Sequence, residues 1–141
     1  DVRGFEDTTP LASAAYNGDL EMVQVLLEYK ADIDGRDAAG RTPLHAASKG
    51  DHYKDPNIAP SLSNVARLLL EHGADVNVRM NDQSTPLHLA VQWGRVEVVQ
   101  ALLQHGASVG AKDDRGRTAL QVVSEKNHDE IVKLLSEHRA G

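Results

Sequence analysis

The chain has 141 residues, of which 40% are hydrophobic, 26% charged and only 4% aromatic, a composition that suits one domain with an aliphatic core. The lack of cysteine excludes a disulfide framework, a thiolate zinc site and a Cys nucleophile, and it is compatible with an intracellular setting, cytoplasmic or nuclear. The net charge of −6 weighs against nonspecific nucleic-acid binding. No apolar run approaches the ~18 residues of a membrane span, and the polar, acidic start without Met is no signal peptide and reads as a segment of a longer protein.

In chain order, the first signal is Thr9-Pro10-Leu11. Thr caps the opening amides of a helix, and the Pro beside it lacks an N–H that would go unpaired. Ala14 offers a small side chain for close helix approach. Met22-Val23 with Leu26-Leu27 then sets an apolar stripe along a second helix, and Lys30-Ala31-Asp32-Ile33-Asp34 closes the unit. The same order returns at Thr42-Pro43-Leu44, Ala47, Val65-Ala66, Leu69-Leu70 and Gly73-Ala74-Asp75-Val76-Asn77. It returns again at Thr85-Pro86-Leu87, Ala90, Val98-Val99, Leu102-Leu103 and Gly106-Ala107-Ser108-Val109-Gly110, and in altered form at Thr118-Ala119-Leu120, Val123, Ile131-Val132 and Leu134-Leu135. The Thr positions are 33, 43 and 33 residues apart, so each unit reads as turn, short helix, reversal, longer helix and loop. Gly73 and Gly106 fall just past a helix end, where a left-handed backbone is needed; Lys30 holds that place in the first unit and is expected to adopt it at a cost, or to end the helix differently. Ala119 in place of Pro, and Val123 in place of the small residue, suit an end unit.

The period of 33 residues and the Thr-Pro-Leu-His at 42–45 and 85–88 resemble the ankyrin repeat. The resemblance runs from about Gly4 to His138. It implies an all-α solenoid of stacked helix-turn-helix units with β-hairpin or turn fingers, in repeats 4–36, 37–79, 80–112 and 113–139 of a single domain. Departures are Ala12 and Gln121 for His, Gln83 for the turn Gly, and ten extra residues in the second unit, at about 51–60. Two prolines and an Asn break a helix there. Ser61 or Ser63 is expected to cap the second helix, which starts early so that Leu62 joins Val65 and Leu69 on the buried side. The resemblance puts the insertion at the helix–helix end, away from the fingers. A tolerated surface loop is the favoured reading, and an added partner contact through Tyr53 and Ile58 is the alternative.

Seven histidines raise the question of a metal. His45 and His88 hold the motif's His, and the resemblance implies that they hydrogen-bond across adjacent repeats; His72 and His105 lie exposed beside capping glycines. Equivalent positions in stacked helices stand roughly 10 Å apart, too far to share a zinc ion bound at about 2 Å, and no His-Glu-x-x-His motif is present. Ser13, Ser48 and Ser124 lack a base and an orienting acid, and the isolated glycines make no phosphate loop. Asp37 and Asp113 read as turn-stabilising residues. No enzyme activity, cofactor, metal or small-molecule substrate is expected. Asn77 takes the position that asparaginyl hydroxylation targets in some ankyrin proteins, and a turn-stabilising Asn is the preferred reading.

The resemblance also implies a concave binding face built from finger tips and first helices. Register places Arg36, Ala38, Ala39 and Arg41 on the first finger, Arg79, Asn81, Asp82 and Ser84 on the second, and Lys112, Asp114, Arg115 and Arg117 on the third. The first helices add Ser13, Tyr16, Asn17, Ala46, Lys49, Leu89, Gln92, Trp93, Val122, Glu125 and Lys126. Eight basic residues against three acidic ones leave this face at about +5 in a chain of −6, which favours an acidic partner. The candidate partner-binding residues are Tyr16, Arg36, Arg41, Lys49, Arg79, Asn81, Asp82, Leu89, Gln92, Trp93, Lys112, Arg115 and Arg117. Trp93 and Tyr16 stand out as large side chains with a polar handle; for Trp93, packing against the neighbouring repeat or the insertion weighs equally. The expected function is a monomeric, non-catalytic interaction module or scaffold for an acidic protein segment. Alternatives are a structural or self-associating part of a larger ankyrin-containing protein, whose polar last helix reads as a cap, and an ankyrin protein of the kinase-inhibitor type. Nucleic-acid binding by the groove is disfavoured.

Overall fold

The structure, a computed structural model, describes residues 9–50, 59–123 and 128–140. Three helix pairs follow one another: α1 (Pro10–Tyr16) with α2 (Leu20–Glu28), α3 (Pro43–Lys49) with α4 (Ala59–Glu71), and α5 (Pro86–Gln92) with α6 (Val96–Gln104). A 3-10 turn at Ala119–Val122 and α7 (His128–Ala140) complete the order. Thr9 Oγ1 accepts the Ala12 N–H at 3.1 Å, and Thr42 and Thr85 do the same for His45 and His88. Pro opens each of these helices, where its missing N–H costs nothing. Seven-residue helices are too short to persist alone. They hold because Leu11, Leu44 and Leu87, with Ala14, Ala47 and Ala90, are buried where α1, α3 and α5 pack as one row. The outer helices α2, α4, α6 and α7 form a second row, so each unit touches its neighbours in a one-dimensional stack.

The all-α solenoid is observed, with local details that refine or depart from the sequence reading. No strand occurs among the described residues, and the fingers are tight turns closed by paired bonds such as Asp37 N–H to Arg41 O and Gly40 N–H to Asp37 O, both 3.0 Å. Neither Ser61 nor Ser63 caps α4, because the helix already begins at Ala59 and runs 13 residues against nine in α2 and α6. Leu62 is buried with Val65 and Leu69 as expected; it lies against Gly50, whose left-handed φ of +71° and lack of a Cβ, which would collide with Leu62, both require glycine. Among the described residues the last unit shows a single 3-10 turn in place of a first α-helix, and the chain turns extended at Val123 (φ −62°, ψ 132°). Gln121 there replaces the motif His and still accepts the Thr118 N–H, at 2.8 Å. Lys30 adopts the left-handed conformation, φ +62°, that Gly73 and Gly106 supply in later units.

Candidate partner-binding groove

The fingers and the first helices line one side of the stack together. In the first, Asp37 Oδ1 accepts the N–H groups of Ala39 and Arg41, each at 2.9 Å, and Oδ2 accepts Arg41 Nε at 2.7 Å, with the carboxylate 3% exposed. Asp113 repeats the arrangement in the third finger with Arg115 N–H, Arg117 N–H and Arg117 Nε, each at 2.9 Å. Burial alone would raise the Asp113 pKa, but those two amides and the Arg117 guanidinium outweigh it and hold the carboxyl below the usual carboxylate range. The second finger carries Met80 in the Asp place and Ser84 in the Arg place. Asp82 Oδ1 accepts the Ser84 N–H at 2.9 Å, and Gln83 takes the left-handed turn, φ +69°, that Gly40 and Gly116 make in the other two.

Adjacent fingers are tied by side chains that the sequence reading had assigned to partner contact. Arg36 Nη1 donates to Arg79 O at 2.9 Å, and Arg79 Nη1 donates to Gln83 O at 3.2 Å and Lys112 O at 2.7 Å. Asn81 donates from its backbone to Ala39 O at 3.0 Å and from Nδ2 to Ala38 O at 2.8 Å, and Asp82 O accepts the Asp114 N–H at 2.8 Å. These four residues hold the fingers in register. Asn77 acts likewise, receiving at Oδ1 the Ser108 N–H of the next unit at 2.8 Å.

The inter-repeat histidine bonds are present. His45 Nδ1 accepts the Thr42 N–H at 3.1 Å and Nε2 donates to Ser84 O at 3.2 Å; His88 repeats this with Thr85 at 3.1 Å and Arg117 O at 2.8 Å. One ring nitrogen accepts while the other donates, so the hydrogen-bond network selects the neutral ring. Burial pushes the pKa of His45 down to about 4.

Beside His45 a cavity of about 330 Å³ opens between the row of first helices and the fingers. Leu89, Gln92, Trp93, Ala46, Lys49, Ala12, Ser13 and Tyr16 line it from the helices, and Asp37, Arg41 and Met80 from the fingers. Lys49 Nζ stands 5.0 Å from the centre of the Trp93 ring, a cation–π pair joining the second unit to the third. Trp93 therefore both packs between repeats and lines the groove. The cavity gathers Tyr16, Arg41, Lys49, Leu89, Gln92 and Trp93; Lys112, Arg115 and Arg117 lie apart from it, exposed on the third finger. Counting Asp37 and Asp113, which pair with Arg41 and Arg117, takes two charges off the basic surplus of this face. Tyr53, Ile58, Ser124, Glu125 and Lys126 lie outside the described residues.

Two residues of the site escaped the sequence reading. Met80 was legible by register as the place of Asp37 and Asp113. Arg95 stands where Asp19 caps α2, an odd choice for a helix start, and α6 has no side-chain cap there. Its guanidinium is buried under the groove, with the residue 4% exposed, and Nε donates at 2.8 Å to Lys49 O, at the end of α3 where the helix dipole is negative. Burial pushes its pKa below the ordinary arginine value. Among the described residues no His, Asp and Glu group gathers as a metal site, and no helix is long and apolar enough to cross a membrane.

Among known families, the profile described as "Ankyrin repeats (3 copies)" matches residues 1–79 and 56–113. The chain is 50% identical over 44 residues to Rabankyrin-5 of Homo sapiens, a match covering 31% of this chain and 4% of that protein. It is 51% identical over 45 residues to protein phosphatase 1 regulatory subunit 27 of Homo sapiens, covering 32% of this chain and 29% of that protein. The chain thus spans under a third of either relative.

Proposed function

The chain belongs to the ankyrin-repeat family, and from that premise we propose that its concave face binds an acidic segment of another protein, as a monomer and without catalysis. The observation that carries this reading is the cavity beside Trp93. Leu89, Met80 and Ala46 give it apolar walls, while Lys49 stands at its side. An apolar side chain of the partner enters the cavity, and carboxylates next to it meet Lys49 and, further along the fingers, Lys112 and Arg115. A buried apolar anchor inside a polar rim is the usual distribution of binding energy at protein interfaces. One similar protein is, by its name, a regulatory subunit of a phosphatase, which agrees with a role in binding.

Trp93 is the chain's single tryptophan and serves as the reporter. Its fluorescence is titrated with extended peptides that carry one Leu or Phe among Asp and Glu residues, and with matched Lys peptides. The acidic peptides are expected to change the emission saturably, and Lys49→Glu to weaken them by about tenfold with the far-UV spectrum intact. Tighter binding of the Lys peptides, or indifference to Lys49→Glu, overturns the proposal.

A further inference from the structure

The first unit presents to solvent what the later units bury. On α2, Met22 and Val25 are 46% and 43% exposed. The register counterparts of Met22, Val65 and Val98, are fully buried; those of Val25 are half-buried Leu68 and buried Ala101. Leu26 is half-buried where Leu69 and Leu102 are buried, and Pro10 is exposed where Pro43 and Pro86 are buried. Beside them lies a second cavity of about 390 Å³, lined by Pro10, Leu11, Leu26 and Ala31 among others. Tyr29 is exposed as well but does not belong to this pattern, since its counterparts His72 and His105 are exposed in their own units.

Within the stack, α2 packs on α4 and α4 packs on α6, so each outer helix covers the next at these positions. We infer that the face of α2 that the described residues leave uncovered is a stacking surface for one more ankyrin-type helix pair, joined ahead of Asp1, whose outer helix covers Met22 and Val25 as α2 covers α4. The interface between units continues by register onto this face, which is the continuity that repeat stacking needs. The opposite end differs: among the described residues, α7 turns Glu130, Lys133, Ser136 and Glu137 to solvent, a polar face unlike that of α2 and a poor match for head-to-tail stacking of a second copy. The inference is independent of what the groove binds.

The test fuses a designed ankyrin repeat ahead of Asp1 and follows urea unfolding. The midpoint is expected to rise by about 0.5–1 M. Met22→Lys with Val25→Glu is expected to erase that rise while shifting the unextended chain little, because both side chains are at its surface; Met22→Ser with Val25→Ser serves where the charged pair disturbs α2 itself. No rise, or an equal rise in the variant, overturns the inference. Light scattering across concentrations is expected to show a monomer. A dimer that the same substitutions dissolve would assign the face to a second copy and likewise overturn it.

Discussion

The first and third fingers build the same turn as the second with different chemistry. Asp37 and Asp113 each satisfy two backbone N–H groups and lock the arginine four residues on, so those turns are braced from within. The second finger has Met80 and Ser84 at these places and a left-handed Gln83 where the others have glycine. Its support comes from both neighbours: Asn81 bonds to Ala38 O and Ala39 O and His45 Nε2 donates to Ser84 O on one side, and the Asp114 N–H of the third finger donates to Asp82 O on the other. A repeat in the middle of a stack tolerates a reduced internal brace, here the single bond from the Ser84 N–H to Asp82 Oδ1, because the units beside it add support. At the same position the groove gains an apolar wall, since Met80 lines the cavity.

The largest expected effect is on the support that His45 lends the second finger. Unfolded, His45 takes a proton near its ordinary pKa of 6.5; folded, it resists until about 4. The unfolded chain therefore binds more protons between those values, and the His45 contribution is complete above pH 6.5 and lost as pH falls toward 4. A shift of that size corresponds to about 3 kcal/mol at most. Urea midpoints at several pH values are expected to fall across this window, and His45→Asn to flatten the slope.

Breaking a braced finger comes next. Asp113→Ala removes the acceptor for two amides and a guanidinium, and is expected to cost about 2–3 kcal/mol in urea unfolding. The glycine place sharpens the comparison. Gly40→Ala forces a Cβ at φ +83° to within 2.6 Å of Asn81 Oδ1 and 2.9 Å of Asn81 N, whereas Gly116→Ala meets nothing within 4 Å. The first is expected to cost about 2 kcal/mol and the second about 1, the backbone strain alone. The smallest effect has the opposite sign: Gln83→Gly relieves the left-handed side chain and is expected to raise stability by under about 1 kcal/mol, seen as a higher thermal midpoint.

Much of this was legible in the chain because it repeats. A period of 33 residues compares each residue with its counterparts, so Thr caps, the paired histidines and the left-handed places at Lys30 and Gln83 stand out without coordinates. Side-chain direction was harder to read. Arg36 and Arg79 share the register of the groove, yet their guanidinium groups reach backbone carbonyls of neighbouring fingers. A long flexible side chain goes to the acceptor its surroundings provide, and that acceptor lies 33 residues or more along the chain.

The sequence by itself determined the helix pairs, their order and the row of small residues between them, because capping, proline placement and apolar spacing act over a few residues. Only the tertiary structure decided which charges remain at the groove, that Trp93 meets Lys49, that Arg95 is buried beneath them, and that Met22 and Val25 of α2 stand exposed. Each of those depends on distances between units, and a linear pattern contains no such distances until the units are stacked.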